Sequence, residues 1–443
     1  MQASSPLRLS VAAALVSAAF AGPAYGQTTQ EAELLQRVDK LAAELQALKA
    51  QLAQLQSERQ AERQRSAEQP VPATASAAAP PAPAPAPAAA AASSEPATVL
   101  TGYGEINYNR TTKHSENSQA DLRRFVLGYQ HRFDEKTKLV TELEVEHAIA
   151  SSSDQGEAEI EQAFIDHQIN PTWSLRGGLM LMPAGLLNEN HEPTAYYGVE
   201  RNFVETAIIP STWREGGVQA VANLDSGLTL QGGLSTGFNL GKWDATSTDG
   251  AASPLGSIHQ EMQLAKAHDI AAFGAANWRG VPGLLLGASL FSGGATQGEP
   301  GKPSSRVTLW DLHARWTPGA WDLSGVYARG GISNTAALNK PLAGSATLIP
   351  ETFYGWYAQA AYKLWSSGDY SLSPFVRYER YNTGSAYADI GAGLTPNPRP
   401  TERVVTLGAN FKLNSSVVIK ADVQRFKEAS DNDRFDLGLG WSF

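Results

Sequence analysis

The chain has 443 residues, no cysteine and a formal net charge of −9 at pH 7. This length suffices for one large domain or two to three ordinary ones, and the acidic balance argues against nucleic acid as a partner. Without cysteine, small disulfide-stapled folds are excluded. No run of about 18 apolar residues follows the first 25 residues, which excludes membrane-spanning helices but not strands that cross a membrane.

Residues 1–26 have the layout of a secretory signal peptide. Arg8 gives a positive start, an apolar core extends to about Ala21, and Ala24-Tyr25-Gly26 offers a small-residue cleavage site. An uncleaved membrane anchor is the alternative, although the core is short for a span. We therefore predict export, with cleavage near Gly26.

Residues 30–64 contain a heptad pattern. Glu44 and Lys49 fall at positions where parallel helices could pair them. The pattern predicts a periplasmic coiled coil through which the chain self-associates, with an unspecified number of helices. A single amphipathic helix lying on the folded domain is the alternative. The predicted core consists of apolar residues spaced by four and three, namely Leu34, Val38, Leu41, Leu45, Leu48, Leu52 and Leu55.

Residues 65–97 are rich in proline and alanine, including the run PPAPAPAPAAAAASS. Such a composition cannot bury a core and prefers extended polyproline II structure. We interpret it as a disordered linker, with a folded domain at 98–443.

From residue 98 onward apolar and polar residues alternate, which is typical of strands exposed to different media on their two faces. Short turn-like connections alternate with long polar ones, as in an outer-membrane barrel with periplasmic turns and extracellular loops. We predict an all-β transmembrane barrel of about 16 antiparallel strands; a soluble stack of β-sandwiches is the alternative. The predicted strands lie near 99–109, 121–133, 138–149, 158–169, 173–182, 216–224, 228–239, 270–279, 284–293, 307–317, 321–332, 352–364, 370–382, 403–413, 417–427 and 434–443.

The last ten residues, RFDLGLGWSF, show this alternation clearly. Phe435, Leu437 and Leu439 fall on one face with Trp441 and Phe443, which we assign to lipid and its interfacial aromatic girdle. Because every backbone group in hydrocarbon must be paired, this strand is expected to close on the first one. The segment EAEIEQAFIDHQI fits worst, because an outward Ala163 and Ile165 would also turn Glu161 and His167 outward. A subunit contact or a misplaced boundary would explain it.

The connection 183–215 is unusually rich in both apolar and charged residues. Folding of this loop against the inner wall would bury its apolar residues and narrow a barrel that is otherwise wide enough for water. An external cap or a subunit contact is the alternative. The predicted constriction residues are His191, Glu192, Arg201, Glu205 and Arg214.

Charged residues predicted to face the lumen should set ion selectivity. The basic pore-lining candidates are Arg124, Arg132, Arg176, Lys363 and Arg377, accompanied by Arg315, Lys412, Lys420 and Arg434. Glu105, Glu142, Glu144, Glu146, Asp311, Glu379, Asp422 and Asp436 nearly balance them. The wall alone therefore predicts only a weak preference, unless the geometry separates the two signs.

Nothing in the sequence points to catalysis. The histidines have no paired metal spacing such as HExxH. Gly233-Leu234-Ser235-Thr236-Gly237 matches GxSxG, but it lies within an alternating segment without a following helical pattern, whereas a nucleophile elbow needs one. We predict neither enzyme activity nor a metal or cofactor; a barrel hydrolase would use Ser235 first.

A family resemblance is carried by the run IEQAFIDHQINPTWSLRGGLMLMPAGLLNENHEPTAYYGVERNFVETAIIPSTWREGGV. This run resembles the corresponding region of bacterial phosphate-selective porins of the O and P type, over roughly 98–443, and the preceding stalk resembles that of porins with a periplasmic coiled coil. The resemblance implies a trimeric, sixteen-stranded channel of the Gram-negative outer membrane with its third loop inside. It also implies a preference for anions such as phosphate.

We expect a passive diffusion channel for small hydrophilic solutes. Its partners would be outer-membrane lipid, lipopolysaccharide and two further copies of the chain. The alternative is an envelope tether that contacts peptidoglycan through the coiled coil and uses the barrel as an anchor.

Overall fold

The computed structural model describes residues 97–443. The predicted signal peptide, the coiled coil with its core from Leu34 to Leu55, and the linker up to residue 96 lie outside the described residues and stay predictions. No helix within 97–443 is long and apolar enough to cross a membrane.

The described residues form one sheet of seventeen strands, in which chain neighbours pair antiparallel. Sixteen of them make the barrel wall; β13 pairs only with the first residues of β14 and prolongs one hairpin. The prediction of sixteen antiparallel strands is therefore confirmed. The strands are β1 (Thr98–Thr111), β2 (Gln119–Arg132), β3 (Thr137–Glu146), β4 (Ala158–Gln168), β5 (Trp173–Leu181), β6 (Arg214–Asn223), β7 (Leu228–Ser235), β8 (Ala271–Trp278), β9 (Leu284–Gly294), β10 (Arg306–Trp316), β11 (Trp321–Ile332), β12 (Thr352–Tyr362), β13 (Trp365–Ser367), β14 (Tyr370–Ala386), β15 (Glu402–Lys412), β16 (Val417–Phe426) and β17 (Arg434–Ser442).

Short helices occur only in the longer connections of the described residues. Two are α-helices, α1 (Asp249–Ala252) and α2 (Thr335–Asn339), and one is a π-helical turn at Val204–Ile208. The 3₁₀ turns are Ser115–Asn117, Leu240–Lys242, Gly256–Ile258, Lys340–Leu342 and Ser430–Asn432.

The first and last strands close the barrel. β1 pairs with β17 from Tyr103 opposite Ser442 to Thr111 opposite Arg434. Beyond that register, Gly102 and Phe443 exchange two backbone hydrogen bonds, of 3.0 and 2.8 Å. The sheet therefore has no unpaired edge, which is what a strand-built wall in hydrocarbon requires.

The two faces of the wall differ as the alternation predicts. In β17, Leu437 and Leu439 are exposed on the outer face, while Asp436 is fully buried on the inner face. Every part of the outer wall shows similar exposed apolar residues, among them Leu127, Leu143, Leu175, Val218, Leu290, Leu312, Val376 and Leu407. Such a continuous apolar exterior suits hydrocarbon and not water.

One rim of the barrel carries all the short connections, at 133–136, 169–172, 224–227, 279–283, 317–320, 363–369 and 413–416; we call it the short-turn rim. In the turn 224–227, Gly227 has φ of +79°, a conformation that favours glycine. Exposed aromatic residues ring this rim, as in an interfacial girdle: Phe133, Trp173, Trp316, Trp321, Trp365, Tyr370 and Phe443.

A β-bulge resolves the misfit of the fourth strand. Glu142 pairs with Gln162, but the next residue, Leu143, pairs with Ile160. Glu161 is therefore an extra residue and turns inward, where it is fully buried. Ile160 precedes Glu161, and Ile165 follows it. Both can face outward because the bulge changes which face each later residue of the strand points to. The misplaced-boundary interpretation is thus unnecessary.

Candidate functional site

The connection between β5 and β6, residues 182–213, turns into the barrel; we call it the inner segment. Its backbone N–H groups donate to carboxylates of three distant wall strands. Gly185 donates to Asp311 of β10 at 3.1 Å, Val199 donates to Asp422 of β16 at 2.7 Å, and Phe203 donates to Glu379 of β14 at 2.6 Å. The segment therefore spans the lumen, and part of the wall's negative charge is used to hold it.

Basic wall residues hold the carbonyl groups of the same segment. The Arg124 Nη2 atom donates to the His191 carbonyl at 2.7 Å, and the Lys412 Nζ atom donates to the Thr194 carbonyl at 3.2 Å. Arg377 donates to the Tyr197 carbonyl at 3.1 Å. Arg124 and Arg377 are each only 2% exposed. These two predicted pore-lining residues therefore lie beneath the segment and are almost fully covered.

Small inward residues of β17 make room for the segment. A Cβ atom at Gly440 would lie 2.6 Å from the Cβ of Pro193, and one at Gly438 would lie 3.1 Å from a methyl of Val199. The inward glycines of the final strand thus allow close approach of the segment's backbone.

His191 is an anchor of the segment. Its Nε2 atom lies 2.7 Å from the Tyr103 hydroxyl and 2.7 Å from a Glu161 carboxylate oxygen. Its Nδ1 atom donates to the Asn188 carbonyl at 2.9 Å, because a carbonyl can only accept. Both ring nitrogens are engaged and the ring is 4% exposed, so neither is left for a ligand.

Glu205 is a second anchor. One carboxylate oxygen accepts from the N–H groups of Leu186 and Leu187 at 2.6 and 2.7 Å. The other accepts from the Asn202 amide at 2.7 Å and from the Tyr357 hydroxyl at 3.1 Å. Burial raises the pKa of Glu205, and these four donors oppose that shift. The residue links three parts of the segment to β12.

The remaining predicted constriction residues differ in exposure. Arg214 is buried, 2.5 Å from Glu159 and 3.1 Å from Glu261. Arg201 is half-buried and donates to the Ser211 and Thr212 hydroxyls, and Glu192 is exposed. Of the five predicted constriction residues, Glu192 and Arg201 therefore are the ones accessible to water.

Inward acidic residues cluster on β3. β3 carries Glu142, Glu144 and Glu146 on its inward face. β3 and β11 are eight strands apart in a sixteen-stranded wall, and hence on opposite sides. Near β11 the basic residues are Arg279, Arg315, Lys363 and Lys412, of which Lys363 is exposed at the short-turn rim. The acidic residues of β3 thus lie opposite β11, although Lys138 shares the inward face of β3 and Arg315 near β11 is paired with Asp322.

Several other basic residues of the wall are in ion pairs. Arg176 lies 3.2 Å from Asp166, Arg315 lies 2.7 Å from Asp322, and Arg434 lies 2.9 Å from Asp436. Arg132 is exposed at the short-turn rim and has interaction partners of its own.

Sequence reasoning missed the inward roles of Arg123 and Glu161. Between β1 and β2, Glu105 pairs with Arg124 and Ile106 pairs with Leu122, so Arg123 of β2 is the extra residue of a second bulge. Composition gives no signal for a single inserted residue, and each bulge therefore places a charge where strict alternation does not.

The catalytic alternative finds no support from geometry. Ser235 ends β7, and its hydroxyl donates to the Thr236 carbonyl at 2.8 Å. The run around it is strand followed by an extended connection and is not a strand-to-helix turn. Within residues 97–443, no group of three or more acidic, histidine or cysteine side chains is placed to hold a metal ion.

Known proteins resemble this chain in fold and in sequence. No family profile matches the chain. Among solved structures, the chain is similar to OmpF of Salmonella typhi, determined in complex with daunomycin, with a TM-score of 0.55 and 14% identity over 78% of this chain and 97% of that one. It is also similar to the outer membrane channel DcaP of Acinetobacter baumannii, with a TM-score of 0.50 and 12% identity over 78% and 97%. These likenesses establish a porin fold.

A sequence relative extends this comparison. An uncharacterized protein of Aquifex aeolicus (strain VF5) is 30% identical over 356 residues, which cover 78% of this chain and 79% of the relative. The chain belongs to the same family as this Aquifex aeolicus protein.

Proposed function

We propose that the protein is a passive diffusion channel of the bacterial outer membrane that admits small hydrophilic solutes past the inner segment. The observation that carries this proposal is a segment held inside a closed wall whose exterior is apolar. A wall of sixteen strands is wide enough for water, and an inward-folded connection would set the width of the passage. Glu192 and Arg201 would then line the narrowest part.

Ion selectivity should be weak. Arg124, Arg176, Arg315, Arg377 and Arg434 are each within 3.2 Å of a carboxylate, so their fields are largely cancelled. The acidic residues of β3 and, on the opposite side, Arg279 and Lys363 would instead create a field across the lumen. The O and P type resemblance implies a bias toward anions such as phosphate or small carboxylates. Such a bias would depend on which side of the lumen the solutes pass along.

Planar lipid bilayers test the proposal directly. Full-length protein added to such a bilayer should produce discrete conductance steps. The reversal potential in a potassium chloride gradient should then lie close to zero, and replacing chloride by phosphate gives the anion preference. Absence of steps from correctly folded protein would overturn the channel proposal, and a large reversal potential would overturn the weak selectivity.

We further propose that the protein is a homotrimer embedded among lipopolysaccharide and lipid of a Gram-negative outer membrane. The heptad pattern of residues 30–64 supports self-association. Chemical cross-linking of whole cells, followed by sizing of the detergent-extracted protein, should show three copies per particle.

The heptad pattern also favours a second candidate function, in which the stalk tethers the membrane to peptidoglycan. Removing residues 27–97 should then impair co-sedimentation with peptidoglycan and spare conductance. Loss of conductance in trimers that still form would contradict this division of roles.

A further inference from the structure

A cavity of about 500 Å³ lies between the inner segment and the wall on the side of the short-turn rim. Its lining combines residues of the segment, such as Leu186 and Tyr197, with inward residues of β8 to β12 and β14. The turn 279–283 forms part of it, so the cavity opens at the short-turn rim. Its volume falls within the range of about 300–1,000 Å³ that small-molecule sites occupy.

The charges of the lining leave one cation free to bind a ligand. Arg315 makes two hydrogen bonds to the Asp322 carboxylate, at 2.9 and 2.7 Å, and Arg377 is paired with Glu379 at 2.7 Å. Arg279 is exposed and makes no ion pair within residues 97–443, although its charge acts on the lining carboxylate Glu189. The lining carboxylate Glu189 accepts from the Gln231 amide at 2.9 Å.

The rest of the lining mixes aromatic and aliphatic side chains with polar ones such as Asn277, Ser324 and Gln359. Tyr197 packs against Phe375, with ring centroids 5.7 Å apart, and this contact fixes the orientation of its ring. Burial raises the pKa of Tyr197 to about 12, with the Asp322 carboxylate adding to the shift, so the phenol is neutral at physiological pH. Leu186, Leu187 and Leu285 add apolar surface.

We propose that this cavity binds small organic anions in which a carboxylate is attached to a flat apolar body. The carboxylate would meet Arg279 at the mouth, where a charge-assisted hydrogen bond is stronger than a neutral one. The apolar body would lie against Tyr197 and the leucines, where its removal from water is favourable. The inference rests on the proposed function, because it names the class of solute that would bind within the channel.

The lining argues against inorganic phosphate as the preferred occupant. A phosphate ion needs several donors around it, and it gains nothing from apolar surface. Of the three guanidinium groups in the lining, Arg279 is the one without a carboxylate partner, and tyrosine and leucine side chains share the lining with neutral amides and hydroxyls. A neutral aromatic solute would gain the apolar contact but lose the interaction with Arg279.

Binding to the full-length, detergent-purified protein tests this site, with benzoate as the probe. Isothermal titration should show that benzoate binds more tightly than benzyl alcohol, which lacks the charge, and than inorganic phosphate, which lacks the ring. Arg279→Gln should weaken benzoate binding by roughly tenfold, as loss of one charge-assisted hydrogen bond predicts. Tyr197→Ala should also weaken it, and Arg279→Lys should retain part of it.

Lys136→Gln provides the matched control, because Lys136 is an exposed cation in the turn 133–136 of the same rim and does not line the cavity. This variant should bind benzoate as the wild type does. Each variant's barrel is checked by its heat-dependent migration in gel electrophoresis. Equal benzoate binding by wild type and Arg279→Gln, or equal binding of benzoate and phosphate, would overturn the proposal.

Bilayer recordings with the same samples separate the two hypotheses. Conductance steps without benzoate binding would overturn the site and leave the channel function standing. Benzoate binding without conductance steps would overturn the channel function and leave the site standing. When both hold, benzoate should shorten the open events of the wild type more than those of Arg279→Gln.

Discussion

The Tyr357 hydroxyl on β12 donates to Glu205 at 3.1 Å and thereby ties the inner segment to the wall opposite β4. We expect Glu205→Ala to loosen the segment, because four donors lose their acceptor and each unsatisfied buried donor costs about 1–3 kcal/mol. Single-channel recording should show larger and noisier conductance. Asn190→Ala, which changes an exposed amide of the same segment, is the control. An unchanged trace for Glu205→Ala would contradict this role.

Gly440 should be required for Pro193 to pack against β17. A Cβ at Gly440 would lie 2.6 Å from that of Pro193, so Gly440→Val is expected to push the segment off β17 and to widen the passage. Liposome swelling with sugars of increasing size should then show a higher exclusion limit. Gly177→Val is the control, since nothing lies within 4 Å of a Cβ at Gly177. Equal limits for the two variants would show that the contact with Pro193 does not set the width.

The buried pair of Arg377 and Glu379, 2.7 Å apart, should show strong coupling in a double-mutant cycle. Glu379→Ala leaves a buried guanidinium unpaired and removes the acceptor for the Phe203 N–H. Breaking such a pair costs about 3–5 kcal/mol, whereas replacing both partners by apolar residues costs much less. Urea unfolding in lipid vesicles should therefore find Arg377→Met with Glu379→Leu more stable than Glu379→Ala. The reverse order would exclude the pair as a stabilising contact.

Acid should loosen the connection 236–270. Burial raises the pKa of Glu261, but the hydrogen bond and charge of His259 and the charge of Arg214 outweigh it and hold that pKa below its ordinary value of 4.5. A carboxyl whose pKa is lowered by folding contributes stability above its unfolded pKa, and this stability is lost as pH falls through the folded-state value.

Amide hydrogen exchange of residues 259–266, corrected for intrinsic rates, should therefore accelerate as pH falls below 4.5. Glu261→Gln should show fast exchange already at neutral pH. Asp249→Asn changes an exposed carboxyl of the same connection and should behave as the wild type. Constant exchange in the wild type between neutral and acid pH would contradict the prediction.

The fold was predictable because hydrocarbon on one face and water on the other impose an alternation of apolar and polar residues on every strand. The exposed Leu437 and the buried Asp436 can be assigned from sequence, since hydrocarbon and water demand opposite residue types. Strand ends were less predictable. The predicted strand 138–149 ends at Glu146, because His147 and Ala148 take positive φ of 55° and 62°, and no residue type there signals this turn.

The site was predictable only in part. The inner segment follows from apolar residues in a long connection, which need a surface to cover them. To predict that Arg377 pairs with Glu379, one must also know the rotamers of both side chains. To predict that Arg124 pairs with Glu105, one must know the register between the two strands, which the bulge at Arg123 shifts by one residue. Charges that appear equivalent in sequence thus divide into covered anchors and accessible residues.

Both ends of the barrel domain hold the inner segment. His191 contacts Tyr103 of the first strand, and Thr194 lies 3.2 Å from Ser442 of the last one. The inner segment can therefore make both contacts only when β1 and β17 are in place. Its position inside the barrel thus depends on closure of the wall.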